Sequence, residues 1–146
     1  GENAQEVADA IRDIVQDHAG VFRTSELLEK GVKEILAIEP RVRNIHLKDK
    51  SKVFNTARIE ALEVENLYEV AKATLISAAA RKECRGAHTV VDFELPPDHA
   101  DYPYGRRDDE WMKHTLWFSA DNRLEYKPVR YKPLSVAAIP PKPRTF

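Results

Sequence analysis

Five histidines, His18, His46, His88, His99 and His114, are the first residues to test for chemistry, because imidazole is the commonest metal ligand and titrates near neutral pH. No two of them stand three or four residues apart, and no cysteine pair completes a zinc pattern. His88 and Asp92 would meet only on a helix, which Val90, Val91 and Phe93 oppose. All five are therefore read as structural histidines. Cys84 is the sole cysteine, which excludes an intramolecular disulfide and any multi-cysteine metal or iron–sulfur site within this sequence. It falls at the end of a long helical pattern, where a thiolate would face the negative pole of the helix, so an inert core or interface thiol is expected. Asp108, Asp109 and Glu110 form a carboxylate run in a polar stretch, without the contrasting surroundings that divide acid from base. The five glycines make no G-x-G-x-x-G or other phosphate-cradling loop, so flavin, nicotinamide or nucleotide binding is not encoded. The residues thus propose no catalytic, cofactor-binding or metal site.

The elements that would position these residues are mostly helical. Val7, Ile11, Ile14, Val15 and His18 recur at helical spacing, which predicts an amphipathic helix over Ala4 to His18, ended by Gly20. Thr24 or Ser25 can cap a second helix with Leu28, Val32, Ile35 and Leu36 on one face, stopped by Pro40. Arg41 to Lys52 reads as a basic connector. Asn55 or Thr56 then opens one long helix that meets no Pro or Gly before Gly86, with Ile59, Leu62, Asn66, Val70, Ala73 and Ser77 as its expected buried stripe. Thr89 to Phe93 suggests a short extended piece, and Pro96, Pro97, Pro103 and Gly105 an irregular loop without helix. Thr115 to Phe118 and Leu124 to Val129 read as a hairpin, with Pro128 confining the second strand to an edge. The expected fold is mainly α: a three-helix up-down-up bundle over residues 1–87, then a loop, a small β-hairpin and an extended Pro-rich tail over 88–146.

At 146 residues the sequence fits one domain, and no apolar run approaches the ~18 residues needed to cross a bilayer. No direct membrane insertion is expected, and Gly1 to Asp9 lack a signal-peptide pattern. The net charge of −1 gives no general attraction for nucleic acid. Charge is nevertheless uneven: residues 1–39 hold nine acids against four bases, and residues 123–146 hold six bases against one acid. Without aromatic residues alternating with those bases, solvated faces are the better reading than a polyanion site.

Arg81-Lys82-Glu83-Cys84-Arg85-Gly86-Ala87-His88, followed by Asp92-Phe93, resembles the R-K-E-S-R-G-A-H-x-R-x-D-F signature of succinate dehydrogenase and fumarate reductase flavoprotein subunits. His18 to Arg23 is similar to that family's H-A-x-V-F-R, Phe54-Asn55-Thr56 to its W-N-T helix start, and Lys113 to Leu116 to its K-H-T-L. Leu124 to Val129 resembles L-E-Y-x-P-V, and Pro140 to Phe146 the terminal P-P-x-x-R-x-aromatic. The resemblance spans essentially the whole sequence. Cys84 replaces the usual Ser, and Val90 stands where the family often has Arg.

What the resemblance implies is a C-terminal helical domain packed on the flavin-binding domain of its own subunit. The parent enzyme would oxidise succinate to fumarate with covalent FAD and pass electrons through an iron–sulfur subunit to quinone. Membrane anchor subunits would hold it at the cytoplasmic face of a bacterial inner membrane, or on the matrix side of a mitochondrial one. The family's flavin-attachment and substrate-holding residues have no counterpart here, so this stretch is expected to be structural and inactive alone. Arg85, Gly86, His88, His114 and Arg144 are the residues expected to dock it, with Gly86 ending the long helix in a left-handed conformation. An alternative for Arg85 is capping that helix's last carbonyls. Fumarate reductase, L-aspartate oxidase and a free-standing helical interaction module are the alternative identities, although a start at Gly1 is the form expected of an excised domain.

Overall fold

The computed structural model describes residues 1–45, 53–96, 98–99 and 103–142. Three long helices, α1 (Ala4–His18), α2 (Ser25–Ala37) and α4 (Thr56–Ala80), pack against one another. Each opens on a side chain that satisfies an otherwise unbonded backbone N–H. Asn3 accepts from Glu6, Thr24 from Leu27 and Asn55 from Arg58, at 3.1, 3.1 and 2.9 Å. The bounds of α1 and the starts of α2 and α4 agree closely with the periodicity. Between α2 and α4, a five-residue helix α3 (Glu39–Arg43) occupies part of the expected connector. Pro40 lies in its first turn, where a missing N–H costs no hydrogen bond, so the proline begins a helix rather than only ending one.

Val7, Ile11 and Ile14 from α1, Leu28 and Ile35 from α2, and Val64, Tyr68, Ala71, Leu75 and Ala78 from α4 form the core, joined by Val42 of α3 and by Val90. Each large apolar side chain buried there contributes about 1.5–3 kcal/mol. The helices approach closely at Gly31, where a Cβ would lie 2.5 Å from the Cβ of His18 and 2.9 Å from a methyl of Leu75. The buried face of α4 is not the expected one. Ile59, Leu62 and Val70 are exposed, and the core takes the stripe through Val64, Tyr68, Ala71, Lys72, Leu75 and Ala78. α4 carries apolar residues on more than one side, so spacing does not select a face, and two of the residues that do turn inward are amphipathic. Tyr68 donates its hydroxyl to the Ile35 carbonyl at 3.0 Å, and its pKa is pushed up to about 12, mainly by burial. Lys72 pairs with Glu69 at 3.0 Å and lies over the rings of Tyr68 and Trp117.

α4 ends at Ala80, short of Gly86. Gly86 does take a left-handed φ of +57°, but in a two-residue turn closed by reciprocal backbone bonds between Arg85 and His88, each 2.9 Å. Val90 then forms a parallel bridge with Arg23, and Val91–Phe93 makes one 3-10 turn instead of an extended piece. Pro103–Gly105 makes a tight non-helical turn with Tyr104 at φ +55°, and the single-turn helix α5 (Asp108–Trp111) falls where no helix was expected. The hairpin is present: β1 (Lys113–Phe118) runs antiparallel to β2 (Arg123–Pro128), from the Lys113–Pro128 pair to the Phe118–Arg123 pair. β1 packs on α4. Residues 129–142 have no regular secondary structure and are mostly exposed.

Candidate functional site

Beyond the end of α4 the chain gathers charge around one buried side chain. Glu83 is fully buried. Its Oε1 accepts from Arg81 Nη1 and Arg85 Nε, both at 2.8 Å, and its Oε2 from Arg85 Nη2 at 3.2 Å and the Arg107 backbone N–H at 2.8 Å. A buried carboxylate persists only with this kind of full pairing. Arg85 continues to Asp108 Oδ1 at 2.6 Å, and Asp108 Oδ2 accepts from Arg106 at 2.8 Å. Burial alone would lower the Arg85 pKa, but its bonds with Glu83 and Asp108 outweigh that and raise it. Arg81 reaches the carbonyls of Trp111 and Lys113, at 2.9 and 2.7 Å, and the Thr115 hydroxyl at 3.0 Å. One carboxylate and its arginines therefore tie the end of α4 to the Arg85–His88 turn, to α5 and to β1.

His88 links this knot to the α1–α2 loop. Arg23 Nη1 donates to His88 Nδ1 at 3.0 Å, and since Arg has no acceptor, Nδ1 carries no proton. His88 Nε2 must then carry the proton and donates it to the Arg81 carbonyl at 3.0 Å. The ring is neutral. Burial lowers its pKa, and the neighbouring Arg23 and Arg81 charges add to that against the opposing bond to the Arg81 carbonyl. Arg23 is fixed further by a bond from Nε to the Gly20 carbonyl at 3.1 Å.

Arg23, Arg81, His88, Lys113 and the exposed His114 line one open groove of roughly 400 Å³, completed by Ser77, Ala78 and Thr115. No carboxylate is among its lining residues. Of the expected docking residues, the structure thus brings His88 and His114 into one groove. Arg85 is turned to Glu83 and Asp108 and bonds no carbonyl of α4, while Gly86 forms the turn between Arg85 and His88. Arg144 lies outside the described residues, as does His46. Sequence reasoning missed Arg23, Glu83 and Asp108 as members of the cluster. Arg23 and Glu83 belong to quoted motifs, but Arg23 and His88 are 65 positions apart and nothing in the sequence signals their contact.

The remaining reactive groups have structural partners. His18 is buried, with Nδ1 2.8 Å from the Ile14 carbonyl and Nε2 3.5 Å from Glu34. Cys84 is buried, donating to the Val90 carbonyl at 3.2 Å and accepting from the Val90 N–H at 3.3 Å. Burial raises its thiol pKa, only partly offset by the Val90 bond. Val90 itself is wholly buried, so the position at which the resembling family often has Arg is here a core position. Among the described residues no group of three or more His, Cys, Asp or Glu side chains is placed to hold a metal ion.

The sequence profile described as "Fumarate reductase flavoprotein C-term" matches residues 8–146. The chain belongs to this family. Relatives include the succinate dehydrogenase flavoprotein subunit of Coxiella burnetii, 38% identical over 98% of this chain and 22% of its own length. That of Rickettsia conorii is 44% identical over 90% of this chain and 21% of its length. A solved quinol–fumarate reductase with menaquinol molecules superposes with a TM-score of 0.78 at 32% identity, over 97% of this chain and 23% of that one. The flavoprotein C-terminal chain described here therefore spans about a fifth of the length of the curated relatives it matches.

Proposed function

We propose that this chain is the C-terminal domain of a succinate dehydrogenase flavoprotein subunit, whose structural task is to dock on the flavin-binding part of that subunit. The observation that carries the reading is the family match over residues 8–146, combined with relatives that cover this chain almost entirely while extending far beyond it. A succinate dehydrogenase parent is favoured over a fumarate reductase because succinate dehydrogenase flavoprotein subunits are 35% to 44% identical to this chain, against 33% for a fumarate reductase flavoprotein subunit. The parent would carry FAD, covalently held outside this chain, and transfer electrons through an iron–sulfur subunit to quinone. No helix among the described residues is long and apolar enough to cross a membrane. Attachment to the cytoplasmic or matrix face through an iron–sulfur subunit and membrane anchor subunits is part of the same proposal. In this reading the docking face includes His88 and His114, with Arg85 and Gly86 shaping the turn beside it, and Arg144, outside the described residues, is proposed as a further contact.

The full reading frame tests this. Expressed whole, it should yield a protein with flavin that survives denaturing electrophoresis and with succinate-dependent dye reduction, while residues 1–146 alone yield neither. A frame that encodes no flavin-binding domain upstream of Gly1 would overturn the reading and leave a helical interaction module.

A further inference from the structure

The groove between the α1–α2 loop and β1 has a charge that nothing in it answers. Its lining includes Arg23, Arg81, His88, Lys113 and His114 and no acid. Arg81 is spent on Glu83 and three oxygens of α5 and β1, and Lys113 lies over the rings of Trp111 and Tyr126. Arg23 differs. Its Nε and Nη1 are held by the Gly20 carbonyl and by neutral His88, and among the described residues it pairs with no carboxylate and its Nη2 makes no hydrogen bond. A half-buried guanidinium oriented by two neutral partners loses hydration without the counter-charge that would offset it.

The surroundings suit an interface. Arg23 is pinned by backbone bonds to the segment after the signature turn, from its N–H to the Thr89 carbonyl at 3.0 Å and from the Val91 N–H to its carbonyl at 2.8 Å. Next to it in sequence, Val21 and Phe22 are 76% and 73% exposed. A fixed loop holding an aromatic and an aliphatic side chain into solvent beside an unanswered arginine has the composition of an interface anchor, where buried aromatic and Arg side chains dominate the energy.

We propose that this groove receives an aspartate or glutamate side chain from the part of the same flavoprotein subunit that lies outside this chain, with Arg23 Nη2 donating to the carboxylate and Val21 and Phe22 packing beside it. This rests on the reading of the chain as a piece of that subunit, whose relatives have nearly four-fifths of their length outside the matched region. Charge complementarity selects the acid.

The test uses the full-length subunit in its assembled complex, with a photoreactive benzophenone side chain in place of His114. Succinate-dependent dye reduction by the unmodified complex is measured first. Its absence overturns the parent reading itself, whereas the cross-link reports on the groove. The dominant adduct should be a peptide of the same subunit from outside residues 1–146 that contains Asp or Glu. Arg23→Gln should lower its yield at least roughly tenfold, the scale expected for losing a hydrogen bond to a charged group. Because Arg23→Gln also disturbs Gly20 and His88, charge exchange provides the control. Arg23→Glu should abolish the adduct, and adding Arg at the identified acid should restore it. An adduct on the iron–sulfur subunit, no adduct, an adduct insensitive to Arg23→Gln, or no restoration by the exchange would each overturn the proposal.

Discussion

In the helical bundle Leu28, Ile35 and Leu75 are shut away from water by other apolar side chains, whereas just past α4 the equally buried Glu83 is surrounded by arginines. The two regions respond to truncation differently. A cut in the apolar core costs the transfer energy of the lost atoms and whatever cavity stays open, and neighbours can relax into it. Removing the centre of the knot strands partners that were desolvated to meet it, and no relaxation supplies a counter-charge. The bundle makes the domain stable, and the knot sets how the signature turn, α5 and the hairpin sit upon it.

The largest expected effect is therefore at the knot. Glu83→Ala leaves Arg81, Arg85 and the Arg107 N–H without their shared acceptor, and breaking a buried pair in this way costs ~3–5 kcal/mol. Urea unfolding followed by circular dichroism measures it. A loss below about 1 kcal/mol would show that water replaces the carboxylate easily and that the knot is no more demanding than surface ion pairs.

Leu75→Ala is the matching cut in the bundle and should cost ~2–5 kcal/mol in the same assay. The comparison sharpens when both variants are probed by near-ultraviolet circular dichroism at low urea. Glu83→Ala should alter the signal of Trp111 and Trp117 while the helices remain folded, whereas Leu75→Ala should lower the midpoint of the whole transition. Identical behaviour of the two would mean that bundle and knot melt as one unit.

Gly86→Ala acts on neither packing nor charge. A Cβ there meets nothing within 4 Å, so the whole effect is backbone strain at φ +57°, about 1–2 kcal/mol. Gly86→Asn should lose less, since Asn tolerates the left-handed region. Equal losses for Ala and Asn would argue that the turn opens instead of accepting strain.

How far these regions were legible follows from the range of the interactions that build them. α1 and α2 were readable nearly to the residue because Asn3, Thr24 and a single apolar stripe act locally. The end of α4 was not, because no local breaker stops it at Ala80; Arg81 and Glu83 leave the helix to meet residues 107 to 115. Gly86 announced its left-handed backbone but not its partner, since a helix terminus and a two-residue turn ask the same of glycine. In the candidate site the family motifs marked His88 and His114. The role of Arg23 emerges only when the chain brings the α1–α2 loop to the signature turn.

The smallest expected effect concerns the face of α4 that periodicity placed inside. If Ile59, Leu62 and Val70 formed the seam of the bundle, Leu62→Ala would cost ~2–5 kcal/mol, as at any buried leucine. The structure instead leaves Leu62 54% exposed, bordering a shallow groove with Val42 and Ile45. Truncation there removes little buried surface, and alanine is the better helix former, which offsets part of the lost contact. The expected loss is about 0.5 kcal/mol or less, the ordinary range for a surface substitution. A loss of the same size as Leu75→Ala would show that α4 sits rotated in solution, with its Ile59–Leu62–Val70 side turned inward. In that orientation Tyr68 would also give up its 3.0 Å bond to the Ile35 carbonyl. Tyr68→Phe then provides an independent check, because it should destabilise the chain only if the hydroxyl is buried against α2, as it is here.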